Sequence, residues 1–206
     1  MDDKSNVTIN KTPGLMRTHF SRGSKNDVAF VLSCPGQLEE KAGHPAAGVT
    51  GNNLNRLLAM LGPQLDLQSL ERADITITNA WNLIEYPSKT CRSEATDAEV
   101  KQTNNLHRLA SELLHVTELV VFCGCKARLA STELLRLRIL SNSKRVAFVD
   151  HLGTRGLLVI KSDTTGEIVA AKLQKLGGRS DSVKVIRSEN KNRRLSVVLL
   201  GLLDSI

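Results

Sequence analysis

Apolar residues fall in short blocks along the chain, and the blocks alternate in kind. Val28-Ala29-Phe30-Val31-Leu32 is unbroken and of the length of a buried parallel strand. It stops at Ser33-Cys34-Pro35-Gly36, where the fixed φ of proline and the freedom of glycine force a turn. A polar loop carrying Gly43, Gly48 and Gly51 leads to leucines 54, 57, 58 and 61, the stripe of a helix that Thr50 or Asn52 can cap. Ala73 to Trp81 is a second β-branched run, a strand ending in Asn79. Pro87 to Arg92 reads as a loop, and Thr96 with Glu99 three residues on forms a capping box. That box predicts a helix to about Leu114, with Val100, Leu106, Leu109, Leu113 and Leu114 on its buried side. Leu119–Cys123 is a third strand, Gly124 opens a helix from Ala127 to about Leu137, and Arg145–Val149 is a fourth strand. It runs directly into Asp150-His151-Leu152-Gly153-Thr154-Arg155-Gly156. The tail predicts two helical pieces, near Glu167–Leu176 and Arg193–Leu203.

Strand and helix blocks in this alternation predict an α/β fold. Its three αβα layers hold a central four-stranded, mostly parallel sheet joined by right-handed crossovers. Residues 27–206 are expected to form a single domain with a basic helical C-terminal segment. Residues 1–26, with Lys11, Arg17, Arg22 and Lys25, are expected to be a basic arm, loose or briefly helical. In an open sheet of this kind ligands bind beyond the carboxyl ends of the strands. The loops after Leu32, Asn79 and Val149 are therefore the places to look for chemistry.

Composition narrows the partners. A chain of 206 residues can bury a real core, but only 3% of its residues are aromatic, so the core is aliphatic and each ring is informative. The net charge of +7 favours a polyanionic partner. No run of about eighteen apolar residues exists, so no membrane span is expected. The polar start at Asp2-Asp3 lacks an apolar leader, and the expectation is a cytoplasmic monomer. Cys34, Cys91, Cys123 and Cys125 are scattered, and Cys123-Gly124-Cys125 is too tight for the usual zinc or cluster pair. The reading is no metal and no cofactor.

The first loop carries a wider pattern. Leu32-Ser33-Cys34-Pro35-Gly36-Gln37-Leu38-Glu39-Glu40, then Gly43-His44-Pro45-Ala46-Ala47-Gly48-Val49-Thr50-Gly51 and a leucine-rich helix, resembles the first motif of the uracil-DNA glycosylase superfamily. The nearest pattern is that of its iron–sulfur, thermophile-type branch. That branch places two cluster cysteines before the first strand, and here no cysteine precedes Cys34. His151-Leu152-Gly153-Thr154-Arg155-Gly156-Leu157 resembles forms of the second motif, with Leu152 and Gly153 in place of Pro-Ser. The resemblance covers about Val28 to Leu157 in four ordered pieces.

The resemblance implies a DNA glycosylase, an enzyme that turns a base out of the helix and hydrolyses its bond to the sugar, leaving an abasic site. His151 would donate a hydrogen bond to the departing base, and Asn79 would read its edge through a paired amide contact. Pro35, Gly36, Gln37, Ala46, Ala47, Gly48 and Trp81 would wall the base pocket. Gly51, Gly153, Thr154 and Arg155 would meet single- or double-stranded DNA, with Lys126 a further phosphate contact.

Two departures shape the expectation. Ser33 and Cys34 stand where the family carries a water-placing acid or amide, and neither is a general base at its ordinary pKa. Water would then be oriented by backbone carbonyls or by Glu39, Glu40 or Asp150, with Cys34 as a nucleophile the alternative. Ala46 stands where the family stacks an aromatic on uracil, and base stacking is worth roughly 1–3 kcal/mol. Small residues there open the pocket to a pyrimidine bulkier than uracil, such as a modified cytosine of phage DNA, which would make excision a defence. The alternatives are a uracil-DNA glycosylase of base-excision repair, or a DNA-binding module on the same fold without chemistry. An unrelated nucleotide-binding α/β protein lacks support, since no Gly-x-x-x-x-Gly-Lys-Ser/Thr or Gly-x-Gly-x-x-Gly run is present.

Overall fold

The computed structural model describes residues 17–65, 70–140, 144–169 and 181–205. Strands β1 (Val28–Leu32), β2 (Thr76–Asn79), β3 (Leu119–Cys123) and β4 (Arg145–Val149) form one sheet in the order β2-β1-β3-β4. Every pairing is parallel, with Leu32 opposite Asn79, Val31 opposite Phe122 and Cys123 opposite Val149. All four carboxyl ends therefore lie on one rim, and the strand order reverses between β1 and β3, the switch point where α/β sheets open a crevice. Helices α1 (Gln37–Ala42) and α2 (Gly48–Gln64) join β1 to β2. Helices α3 (Pro87–Thr90), α4 (Asp97–Val100) and α5 (Thr103–Leu113) join β2 to β3, and α6 (Cys125–Arg136) joins β3 to β4. Helices α7 (Thr154–Val159) and α8 (Asp181–Leu203) follow β4. No described helix is long and apolar enough to cross a membrane.

Strand alternation divides the core in two. Val28, Phe30 and Leu32 pack with Leu119, Val121 and Cys123 against the leucines of α2 and against Leu195, Val198 and Leu202 of α8. Ala29 and Val31 face the other way, with Val120 and Phe122, onto Leu106 and Leu109 of α5 and Ala127, Ala130 and Leu134 of α6. Burial on both faces explains why β1 and β3 read as unbroken apolar runs rather than alternating ones. The layers are helix, sheet, helix, as the sequence predicts.

Several elements depart from expectation, each for a visible reason. Residues 17–26 are packed against the domain rather than being a loose arm. Ser21 exchanges two 2.9 Å backbone hydrogen bonds with Ile77, covering the free edge of β2. A Cβ at Gly23 would lie 2.3 Å from the Asp74 carbonyl oxygen, so only glycine allows this approach. Residues 1–16 of the arm lie outside the described residues.

Helix α2 starts at Gly48 with Ala47 as its cap residue, not Thr50 or Asn52. The helix expected from Thr96 to Leu114 is broken. Thr96 does cap α4 through the predicted box, but the chain leaves the helix at Gln102 (φ −56°, ψ 131°). The buried amide of Asn105 donates to the carbonyls of Val100 and Ala80 at 2.9 and 2.8 Å, taking over a helical bond and fixing the break. Leu114 ends up exposed. In the tail, Glu167–Val169 is not helical. The Asp163 carboxylate accepts the N–H groups of Thr165 and Glu167, and Ser162 bridges to Ile168. The rest of that expected piece, from residue 170, lies outside the described residues. Helix α8 begins well before Arg193. Its polar first half is tied to α2 by Arg56, which donates to Ser188 Oγ and Asn192 Oδ1.

Candidate functional site

Three loops leaving the carboxyl rim enclose a cleft of about 520 Å³, within the size range of small-molecule sites. The loop after β1 gives it Ser33, Cys34, Gly36, Glu39 and Ala46; the loop after β2 gives Asn79, Glu85 and Glu94; the loop after β4 gives His151, Gly153, Thr154 and Arg155.

His151 is held from several sides. Its Nδ1 accepts the Gly153 N–H at 2.9 Å, so the neutral ring carries its proton on Nε2 and can donate from there. Burial pushes the imidazole below its ordinary pKa, against the opposing pull of the Glu94 and Glu39 carboxylates. The glycines around it leave it room. Gly124 has φ +89° and ψ 176°, an almost glycine-only conformation, and a Cβ there would come 3.1 Å from His151 Cβ. A Cβ at Gly156 would fall 1.9 Å from the His151 carbonyl oxygen. From the far side, Asn53 of α2 donates to Leu152 O at 2.6 Å and pins the loop to the domain.

Asn79 closes β2 opposite Leu32, and the ladder continues past it through Ala80 N–H to Leu32 O and Trp81 N–H to Ser33 O. The residue is 2% exposed, yet its Oδ1 has no hydrogen-bond partner. An unsatisfied buried acceptor costs about 1–3 kcal/mol. Asn79 is also one of the residues that line the cleft.

The loop after β2 carries groups that the sequence did not mark. Glu85 is buried, accepting from the Trp81 indole N–H at 3.2 Å and from Arg92 Nε at 2.8 Å, while its own N–H donates to Pro35 O. Arg92 also grips Glu99 with two bonds of 2.8 Å. Its hydrogen bonds, with those of Thr96, hold the Glu99 carboxyl down at about 2. Glu94 reaches Ser33, whose Oγ donates to its Oε1 at 3.3 Å. No short spacing in the sequence joins Ser33 to a residue 61 positions away.

Ser33, Cys34, Gly36, Ala46, Asn79, Gly153, Thr154, Arg155 and His151 therefore meet in one hollow. The other expected positions stand elsewhere. Gln37 is exposed at the start of α1. Pro35 and Ala47 are buried behind the lining. Gly48 (φ +65°) gives way to the Leu38 side chain, which a Cβ would meet at 2.4 Å. Trp81 is core, outside the lining, and its indole N–H donates to Glu85, which lines the cleft. Gly51, expected to meet DNA, is buried, and a Cβ would sit 1.8 Å from Ala46 O. Lys126 lies outside the lining, paired with Asp97 at 2.6 Å.

Cys34 lines the cleft, but burial pushes its thiol up to about 11. A nucleophilic thiolate at neutral pH is thereby disfavoured. Two of the three carboxylates expected to place water are also poorly placed. Glu40 is bound by Tyr86 and Lys89, and Asp150 is exposed outside the lining. Among the described residues no phenyl, phenol or indole ring lines the cleft, and Ala46 is 1% exposed where a stacking ring was the comparison. No protein-family model matches the chain, and no curated protein matches it.

Proposed function

We propose that the chain is a DNA glycosylase that draws an everted pyrimidine into this cleft and hydrolyses its glycosidic bond, leaving an abasic site. The observation that carries the reading is the meeting of Asn79 and His151, from opposite ends of the sheet, in one hollow where the buried Asn79 Oδ1 lacks a partner. A pyrimidine edge presents the donor that this oxygen is missing, and the amide can bond it in a pair.

Breaking the bond moves negative charge onto the base. A neutral imidazole with its proton on Nε2 is a fixed donor for that charge, and it costs no reorganisation at the moment of reaction. Arg155 and the N–H groups at the start of α7 sit at the rim, where phosphates of the flanking nucleotides would pass. The absence of a stacking ring and the small Ala46 favour a pyrimidine bulkier than uracil, with excision of a modified cytosine of phage DNA as the defensive use.

The test is a panel of duplexes and single strands carrying uracil, 5-hydroxymethylcytosine or glucosylated 5-hydroxymethylcytosine, read as alkali-labile abasic sites. Release from at least one modified cytosine is expected. It should be lost by about 10²–10³-fold in His151→Ala and reduced in Asn79→Ala. If both variants match the unaltered chain, these residues do not form the site. If no duplex or strand loses a base while DNA is still bound, the fold serves binding alone.

A further inference from the structure

Hydrolysis needs a group to hold the water and receive its proton, and the carboxylates around the cleft differ in their freedom to do so. Glu85 is saturated by Trp81 and Arg92. Glu40 is occupied by Tyr86 and Lys89. Glu39 uses one oxygen, but its bond to the Gly36 N–H at 3.0 Å is the backbone cap of α1, which it would have to give up to move with a water. Glu94 remains, tied through one oxygen to Ser33 Oγ. Ser33 stands at the end of central strand β1, with β2 and its Asn79 on one side and β3 and β4, leading to His151, on the other. Glu94, Ser33, Asn79 and His151 all line the same cleft.

We infer that Glu94 is a catalytic residue, the carboxylate that orients and deprotonates the attacking water, and that Ser33 is its positioning residue. This rests on the glycosylase reading and adds to it a group from the loop between α3 and α4. In the step, the water oxygen bonds to sugar C1′ as the C1′–N bond breaks. The bonding pair leaves on the base, where His151 Nε2–H meets it, and the water proton passes to the Glu94 carboxylate. The same negative charge faces the cationic sugar that forms as the base departs, so Glu94 favours that species even without a base present.

That last property gives a readout independent of which base is excised. Binding is measured to a duplex with a cationic pyrrolidine at the abasic position, to one with neutral tetrahydrofuran there, and to an intact duplex. The full chain is expected to favour the cationic ring at least about 10-fold, and Glu94→Gln to bring the two abasic duplexes within about twofold. Glu94 is exposed at the cleft mouth, so this isosteric change leaves the core intact. On a base the enzyme releases, Glu94→Gln should lower kcat by about 10²–10⁴-fold with duplex affinity unchanged. Ser33→Ala should lower kcat less, again without weakening binding, and Asp150→Asn should match the unaltered chain. If the preference for the cation survives in Glu94→Gln, or disappears instead in Glu39→Gln, the assignment to Glu94 is overturned and the glycosylase reading stands. If the unaltered chain binds neither abasic duplex better than the intact one, both fall.

Discussion

Two polar clusters meet at β2, built from similar residue types and finished in opposite ways. Beside the strand, Glu112 of α5 accepts from His19 at 3.0 Å and from Thr78 Oγ1 at 2.5 Å, and it pairs with Arg108. Arg108 in turn donates to the backbone carbonyl of Asn79 at 2.9 Å and to Asn105 Oδ1 at 2.8 Å. Burial alone would push the Glu112 carboxyl up, but His19, Arg108 and Thr78 together bring it below its ordinary value, so it stays ionised. Over the rim, the cleft holds a histidine, an asparagine and carboxylates too, yet one buried acceptor is left unmatched. Asn79 belongs to both, its carbonyl to the closed network and its side chain to the open one. A completed network fixes structure, whereas an unmatched acceptor is a cost to the fold that the proposed base would relieve.

The largest effect that separates the two is on stability. Removing one partner of a buried ion pair leaves the other charge uncompensated, at a cost of about 3–5 kcal/mol. Glu112→Ala should lose that much in urea unfolding. Asn79→Ala should stay within about 1 kcal/mol of the unaltered chain, because it deletes an acceptor that had no partner to lose. Equal losses in the two variants would mean that the Asn79 side chain is structural and the contrast false.

A smaller effect sharpens the contrast at the other end of the cleft. Gly124→Ala places a side chain in a nearly glycine-only conformation beside His151, which costs about 1–3 kcal/mol. It should also displace the imidazole and lower excision by about 10²-fold, the scale for a misplaced catalytic group. Unfolding and excision measured on the same preparation separate the two consequences. Lost stability with full excision would show that the glycine shapes the loop without serving His151.

Much of this arrangement was legible in the sequence, and what was not has a common cause. The strands β1 and β3 and the leucine stripe of α2 are set by local apolar pattern, and they stand where that pattern puts them. Asn79 and His151 could be singled out because each stands at the end of a β-branched run, where the chain resembles the family's motifs, and a parallel sheet brings such ends to one rim. Glu94 was not, because its place depends on Arg92 spanning Glu85 and Glu99 to shape a loop that has no periodicity. Nor was the break between α4 and α5, which a single buried amide, Asn105, decides through contacts to distant backbone. The close packing of Gly51 against Ala46 O was hidden for a related reason. A glycine demanded by close packing looks the same in sequence as one that lets a ligand approach.

The smallest effect concerns pH, and it tests which form of His151 the open cluster uses. Burial places the folded-state value below the ordinary 6.5, so the ring is neutral at and above that pH. Its Nδ1 can accept the Gly153 N–H only in that form; protonation would set two donors against each other. With a depressed folded value, the contribution to stability is complete above the unfolded value and is lost as pH falls through the folded one. His115, which burial also depresses, adds a change of the same sign. Excision should therefore be level from about pH 8 to 6.5 and fall only in more acid solution, where the proton breaks the bond that aims the ring. A nitrogen-15 titration of the His151 side chain locates the transition directly. Excision that climbs as the solution is acidified below 6.5 would mean that the charged imidazolium is the working form. The Gly153 bond would then belong to a resting state, and the ring would have to turn before it could serve the departing base.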